Sequence, residues 1–182
     1  MKLLRVALAV AVSTAMLAMA LTSHAADKEK VQEAIAKATK FLEGCQQENG
    51  SFKNELGPAV TALTLTAIVR SGTPADAPVV KKGLEYLMTF RQPDGGIYSP
   101  GSPVANYETS IAMLALAACN KNGSLDKEIK GATAFVKKLQ WDEDEGKDKN
   151  DPAYGGAGYG KKSRPDLSNT QFMIEALRTV GE

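Results

Sequence analysis

The chain is nearly without histidine. His24 is the only one, and it falls inside an N-terminal apolar segment. The rest of the chain therefore lacks the commonest general base and the commonest transition-metal ligand. Neither sign of charge dominates: Lys and Arg total 22, Asp and Glu total 21, and the formal net charge is +1. Phosphate binding needs a concentrated basic surface, so nucleic acid is excluded as a partner. Long apolar runs are also scarce. One extends from Val6 to Leu21, shorter than the roughly 20 residues a bilayer-spanning helix needs, and no second follows it.

That run is preceded by Lys2 and Arg5 and followed by Ser23-His24-Ala25, the layout of a cleaved leader. Residues 1–25 are expected to be a signal peptide and the chain to be exported, periplasmic or secreted, with no stable membrane span after its removal. Without Lys2 and Arg5 the basic residues number one fewer than the acidic ones. The remaining stretch, 26–182, is about the length of one domain with its own core.

What is present is a repeat. Thr61, Thr109 and Thr170 head one column, followed by Leu63, Ile111 and Phe172, then Ala67, Ala115 and Ala176, then Ile68, Leu116 and Leu177. Upstream, Phe41, Leu87 and Phe135 are each followed by a Gln: Gln46, Gln92 and Gln140. A period of roughly 46–48 residues, lengthened in the third copy, marks stacked supersecondary units that bury one face against a neighbour. The repeats span about 28–73, 77–121 and 124–181.

Each repeat reads as helix, glycine-rich turn, helix. The first helices are amphipathic, with Val31, Ile35, Ala38 and Leu42 in repeat one, a start at Pro78 in repeat two, and a Ser124 cap in repeat three. The second helices, starting near Thr61, Thr109 and Thr170, are rich in Ala, Leu, Ile and Thr, which predicts burial on most sides. Gly72, Asn120 and Gly181 stand where left-handed C-terminal caps belong. The turns end on aromatics, Phe52, Tyr98 and Tyr159, expected to fold back as plugs. Cys45 and Cys119 fall at opposite ends of such hairpins, roughly 20 Å apart, so both are expected to be free and mostly buried. The acidic stretch Asp142–Asp151 lacks the glycine of an EF-hand loop and is expected to be a solvated, mobile loop. Trp141 is expected either to pack where the other repeats place Gln47 and Pro93 or to anchor that loop.

The pattern Gln-x-x-x-Gly-x-aromatic on alternating helices resembles the repeat of the squalene-hopene cyclases and protein prenyltransferase beta subunits. The run Gln140 to Leu177, with Gly155-Gly156-Ala157-Gly158-Tyr159 and Asp166-Leu167-Ser168-Asn169-Thr170, is similar to that of exported bacterial members of this family. The resemblance implies an all-α fold: a partial α/α toroid of three helical hairpins, six main helices, in inner and outer layers. It does not bring the family's chemistry. Where the cyclases carry Asp-x-Asp-Asp-Thr, this chain has Ser168 at the acid position and Asn169 beside it, and a serine hydroxyl is no strong acid. The prenyltransferase zinc ligands include a histidine, and the thioester pairing of complement-type toroids fails at Glu48. Only Phe172 among the aromatics is expected inside an inner helix, too few to line a carbocation cavity.

The candidate binding residues sit at the rim of the inner helices: Glu108, Thr109, Asp166, Ser168, Asn169 and Thr170. Each also has a plain structural reading, since Ser, Asn and Asp cap helices and Glu suits a first turn. No catalytic residue, metal or cofactor is expected. The leading reading is an exported repeat module, non-catalytic on its own, that binds an apolar, isoprenoid-like or peptide ligand on a concave inner face. The alternatives are a terpene cyclase or prenyltransferase-type enzyme needing the missing half of the toroid, and a structural repeat scaffold. An array ending on an inner helix predicts either truncation of a longer toroid or self-association.

Overall fold

The computed structural model describes residues 27–161 and 163–182, so the expected leader at 1–25 lies outside the described residues. Among the described residues the architecture is all-α. Six α-helices follow one another: α1 (27–44), α2 (Pro58–Arg70), α3 (Pro78–Met88), α4 (Ala105–Cys119), α5 (Asp126–Lys137) and α6 (Leu167–Thr179). Short 3-10 turns, Asn54–Leu56 and Glu143–Glu145, precede α2 and follow α5, and the described residues form no strand. Of the described residues, 27–41 belong to one compact unit and those from Leu42 to Glu182 to a second.

The helix ends follow local chemistry. Pro58 and Pro78 open α2 and α3, where a missing N–H costs nothing. At the C-termini of α2 and α6 the left-handed glycine cap forms as expected. Gly72 (φ +112°) donates to the Val69 carbonyl and Thr73 to that of Ile68. Gly181 (φ +86°) and Glu182 repeat those bonds to Arg178 and Leu177. The middle repeat differs. Asn120 has φ −73°, and the left-handed residues come later, at Asn122 and Gly123. The Asn120 side chain works instead, accepting from the Leu125 N–H at 3.0 Å and donating to Asp126 at 2.7 Å. It thereby takes the role expected of Ser124, whose hydroxyl turns back to the Lys121 carbonyl.

Helices α2, α4 and α6 pack in chain order as one layer with α4 in the middle. Helix α3 lies against α2 and α4, and α5 against α4, as a second layer. The α2 side chains Ala62, Leu65 and Ile68 join Val80 and Leu87 of α3 and Ile111, Ala115 and Leu116 of α4 in one core. Met113 and Leu114 of α4 join Ala132, Phe135 and Val136 of α5 and Met173 and Ala176 of α6 in another. No residue of α4 is exposed, whereas only Asn169, Met173 and Ala176 of α6 are buried. Burial on most sides thus holds for α4 and fails for α6. Helix α4 starts early enough to include Tyr107, so Phe172 is not alone among inner-helix aromatics; the two rings meet edge to face at 5.5 Å.

Contacts between successive repeats recur at matching positions. Gly83 of α3 sits on Leu65 of α2, so close that a Cβ would lie 2.7 Å from the leucine methyl. The Gly50 turn abuts the α3 backbone at Lys82, whose carbonyl oxygen a Cβ would overlap. The Gly95 turn meets α5 at Gly131 in the same way, 2.6 Å from a hypothetical Cβ to the carbonyl. Gln46 donates to the Val79 carbonyl at 2.8 Å, and Arg91 pairs with Glu128 at 2.8 Å, one step along the array. Glycine is required at the two turns both for this closeness and for φ of +89° and +93°.

Candidate functional site

The three turns are built alike, and the threonines that head the repeat hold them. In repeat one the Phe52 N–H donates to Thr61 Oγ1 at 3.1 Å; in repeat two Ile97 donates to Thr109 Oγ1 at 3.1 Å; in repeat three Ala157 donates to Thr170 Oγ1 at 3.0 Å. The hydroxyls of Thr109 and Thr170 return a bond to the carbonyls of Ile97 and Ala157. Each turn closes on itself through matching backbone bonds: Gln47 to Ser51, Gln92 to Gly96 and Trp141 to Gly156, all 2.8 Å. A buried backbone N–H without a partner costs about 1–3 kcal/mol, so the threonine is a clamp between turn and helix.

This alignment corrects three columns. The residue matching Gln46 and Gln140 is Arg91, because Gln92 occupies the place of Gln47 and Trp141, and the outer-helix residue matching Phe41 and Phe135 is accordingly Tyr86 and not Leu87. The buried residue at the end of the turn is Phe52, Ile97 or Ala157, rather than Tyr98 or Tyr159. Tyr98 instead stacks on Phe135 at 5.2 Å, and Tyr159 is 48% exposed. Burial and the hydrogen bond to Asp94 push the Tyr98 hydroxyl up to about 12.

The six candidate residues do not converge on one site. Thr109 and Thr170 are clamps. Glu108 is buried in the first turn of α4, where its carboxylate accepts from the Ser99 N–H and hydroxyl, both at 3.2 Å. It also crowds Gly57, where a Cβ would lie 2.7 Å from Oε1. Asp166 caps α6, accepting from the Asn169 N–H at 2.9 Å and side-chain amide at 2.7 Å. Asn169 is buried, and its Oδ1 has no partner among the described residues. Ser168 faces solvent. Sequence reasoning passed over Asn106, which is buried in α4 and donates to the Gly158 carbonyl at 2.7 Å, fixing repeat three's turn to repeat two's helix.

The space beside the third turn is open. A groove of about 590 Å³ is lined by Trp141, Tyr154, Pro165 and Leu167, with Lys147, Asp151, Arg164, Asp166 and Thr170 around them. The acidic stretch forms its wall and is a bonded structure rather than a loose loop. Asp142 caps the 3-10 turn in a capping box, Gly146 takes φ +70°, and Lys147 bonds Asp151 at 2.9 Å. That bond and the Ala153 N–H hold the Asp151 carboxyl below its ordinary range. The Lys147 ammonium lies 5.5 Å from the Trp141 ring centre, which ties the tryptophan to this wall. Leu167, at 90% exposed, projects at the groove's edge.

Both cysteines are free as expected, yet Cys45 is exposed, since it follows the end of α1 rather than sitting in the core. Burial raises the Cys119 thiol to about 11. Among the described residues no three His, Cys, Asp or Glu side chains gather into a potential metal site, and no helix is long and apolar enough to cross a membrane. No family model matches this chain, and no solved structure matches it.

Proposed function

We propose that the chain is an exported repeat module of the terpene cyclase and prenyltransferase type that binds rather than catalyses, taking an apolar or peptide ligand at the open end of its inner layer. The observation that carries this reading is the division of labour among the inner-helix side chains. Thr109, Thr170, Glu108 and Asp166 are committed to holding turns and helix starts. Beside them a groove with an aromatic and aliphatic lining stays open. Apolar walls with a few fixed polar groups are what ligand sites present.

An arc of helices is supported by one long-range pair. Arg70 at the end of α2 reaches Glu175 of α6 at 3.9 Å, past the intervening α4. Neighbours-but-one approach in this way when a layer curves. Because no residue of α4 is exposed, this reading puts the ligand surface at the α6 end and not along the middle of the arc.

Trp141, the only tryptophan, reports on the groove. Titration with a farnesol-type isoprenoid alcohol, and separately with a peptide of residues 27–44, is expected to give a saturable change in its fluorescence for at least one probe. Leu167→Asp is expected to weaken that binding at least tenfold, about 1.4 kcal/mol. No change with either probe contradicts the reading.

A further inference from the structure

Among the described residues, the third repeat displays, uncovered, the surface by which repeats one and two hold the next outer helix. Ile174 stands where Leu65 and Met113 stand; those two are fully buried, and Ile174 is 48% exposed. Gly155 (φ +78°) stands where Gly50 and Gly95 press on a helix backbone, and the nearest atom to a Cβ there is its own repeat's Gln140 side chain at 3.7 Å. Gln140 stands where Gln46 and Arg91 reach across, and among the described residues its side chain bonds to the Gly155 carbonyl of its own turn and not across. Leu167 stands where buried Pro58 and Asn106 stand. Four positions that meet the following repeat elsewhere are thus open together.

Helix α1 carries the stripe that fits them. The outer helices present a small residue to the preceding inner helix, Gly83 in α3 and Ala132 in α5, and the matching residue of α1 is Ala38. Tyr86 and Phe135, both buried, match Phe41, which is 71% exposed. Val80 and Ile129 match Ile35, and Val31, one turn earlier, is 55% exposed. Charge agrees with shape. An antiparallel register that puts Ala38 on Ile174, as Gly83 lies on Leu65, would set Lys37 near Glu175, which Arg70 already approaches at 3.9 Å, and Glu33, which pairs with Lys37 within α1, near Arg178.

The geometry points to head-to-tail association of two copies, in which α1 of each seats on the α6 flank of the other, extending across chains the interface already used twice within one. This rests on the reading of the α6 groove as a peptide-binding surface and names its occupant. A contact between different patches closes after two copies only if its rotation is twofold, which yields a dimer with two equal contacts.

Sedimentation equilibrium of the mature chain tests it. Wild type is expected to be dimeric at roughly 100 µM, with Phe41→Glu and Ile174→Glu each raising the dissociation constant at least tenfold. Both side chains are substantially exposed, so circular dichroism is expected to show the fold intact. Mixing the two variants is expected to restore association, because the mixed pair keeps one wild-type α1 to α6 contact. A wild-type monomer at that concentration, or a mixture as weak as the separate variants, overturns the proposal. If the isoprenoid alcohol shifts Trp141 fluorescence in that case while the 27–44 peptide does not, the groove reading stands and only its occupant is wrong.

Discussion

Alanine at three glycines should separate the cost of backbone conformation from that of packing between repeats. Gly50, Gly95 and Gly155 have φ of +89°, +93° and +78° and close equivalent turns. An L-residue there costs roughly 1–2 kcal/mol from the left-handed conformation alone. At Gly155 little more is added in the monomer, because the new methyl meets only the Gln140 side chain, at an ordinary contact distance of 3.7 Å. At Gly50 and Gly95 the methyl collides with the backbone carbonyls of Lys82 and Gly131, which belong to helices and cannot swing aside. Overpacking of that kind adds about 1–3 kcal/mol. Gly50→Ala and Gly95→Ala should therefore each cost roughly 2–5 kcal/mol, a large share of a small domain's stability. Urea unfolding at low micromolar protein, where chains are unassociated, gives the comparison as midpoint shifts at constant m-value. Three equal losses would refute the argument, since they would mean that turns one and two are no more crowded than turn three.

The clamps give a second series. Thr61→Val, Thr109→Val and Thr170→Val should each destabilise by about 1–3 kcal/mol, and the serine variants by less, because the acceptor survives; chemical denaturation reads both. Ellman's reagent should titrate one thiol of the native protein quickly, at exposed Cys45, and Cys119 only after unfolding. Glu108→Gln should be tolerated better than Glu108→Leu in thermal melts, because the amide oxygen can still accept from Ser99. Tyr98 has a folded pKa of about 12 against an ordinary 10, so the folded state keeps a proton that the unfolded chain loses. Its stabilisation is complete below pH 10 and fades as pH rises toward 12, and Cys119 acts in the same direction from pH 9 to about 11. Tyr98→Phe should therefore lessen the alkaline decline in the urea midpoint.

The helices were legible because their signals are local. Apolar spacing, Pro58 and Pro78 at helix starts, and Gly72 and Gly181 at helix ends each act within a turn or two of the residue concerned. The turn register was less legible. Aligning Gln92 with Gln46 and Gln140 matches side chains, whereas the fold matches backbone bonds, and the aromatics Tyr98 and Tyr159 lie one and two residues past the buried positions Ile97 and Ala157. Asn120 misled because asparagine suits either a left-handed backbone or a side-chain cap, and its position alone does not choose. The clamp had a signal that went unread: a threonine in the same column of three otherwise apolar helices, where a hydroxyl has to find a partner. The asymmetry of α6 was legible in part, since Gln171, Glu175 and Arg178 stand where α4 has Ser110, Leu114 and Ala117.

Amide hydrogen exchange at Phe52, Ile97 and Ala157 examines the repeated clamp most directly. All three N–H groups should exchange far more slowly than those of solvent-facing turn residues, and each threonine-to-valine change should speed its own amide more than the other two. Rapid exchange at any of the three in the unsubstituted protein would contradict a fold built from three equivalent clamped hairpins.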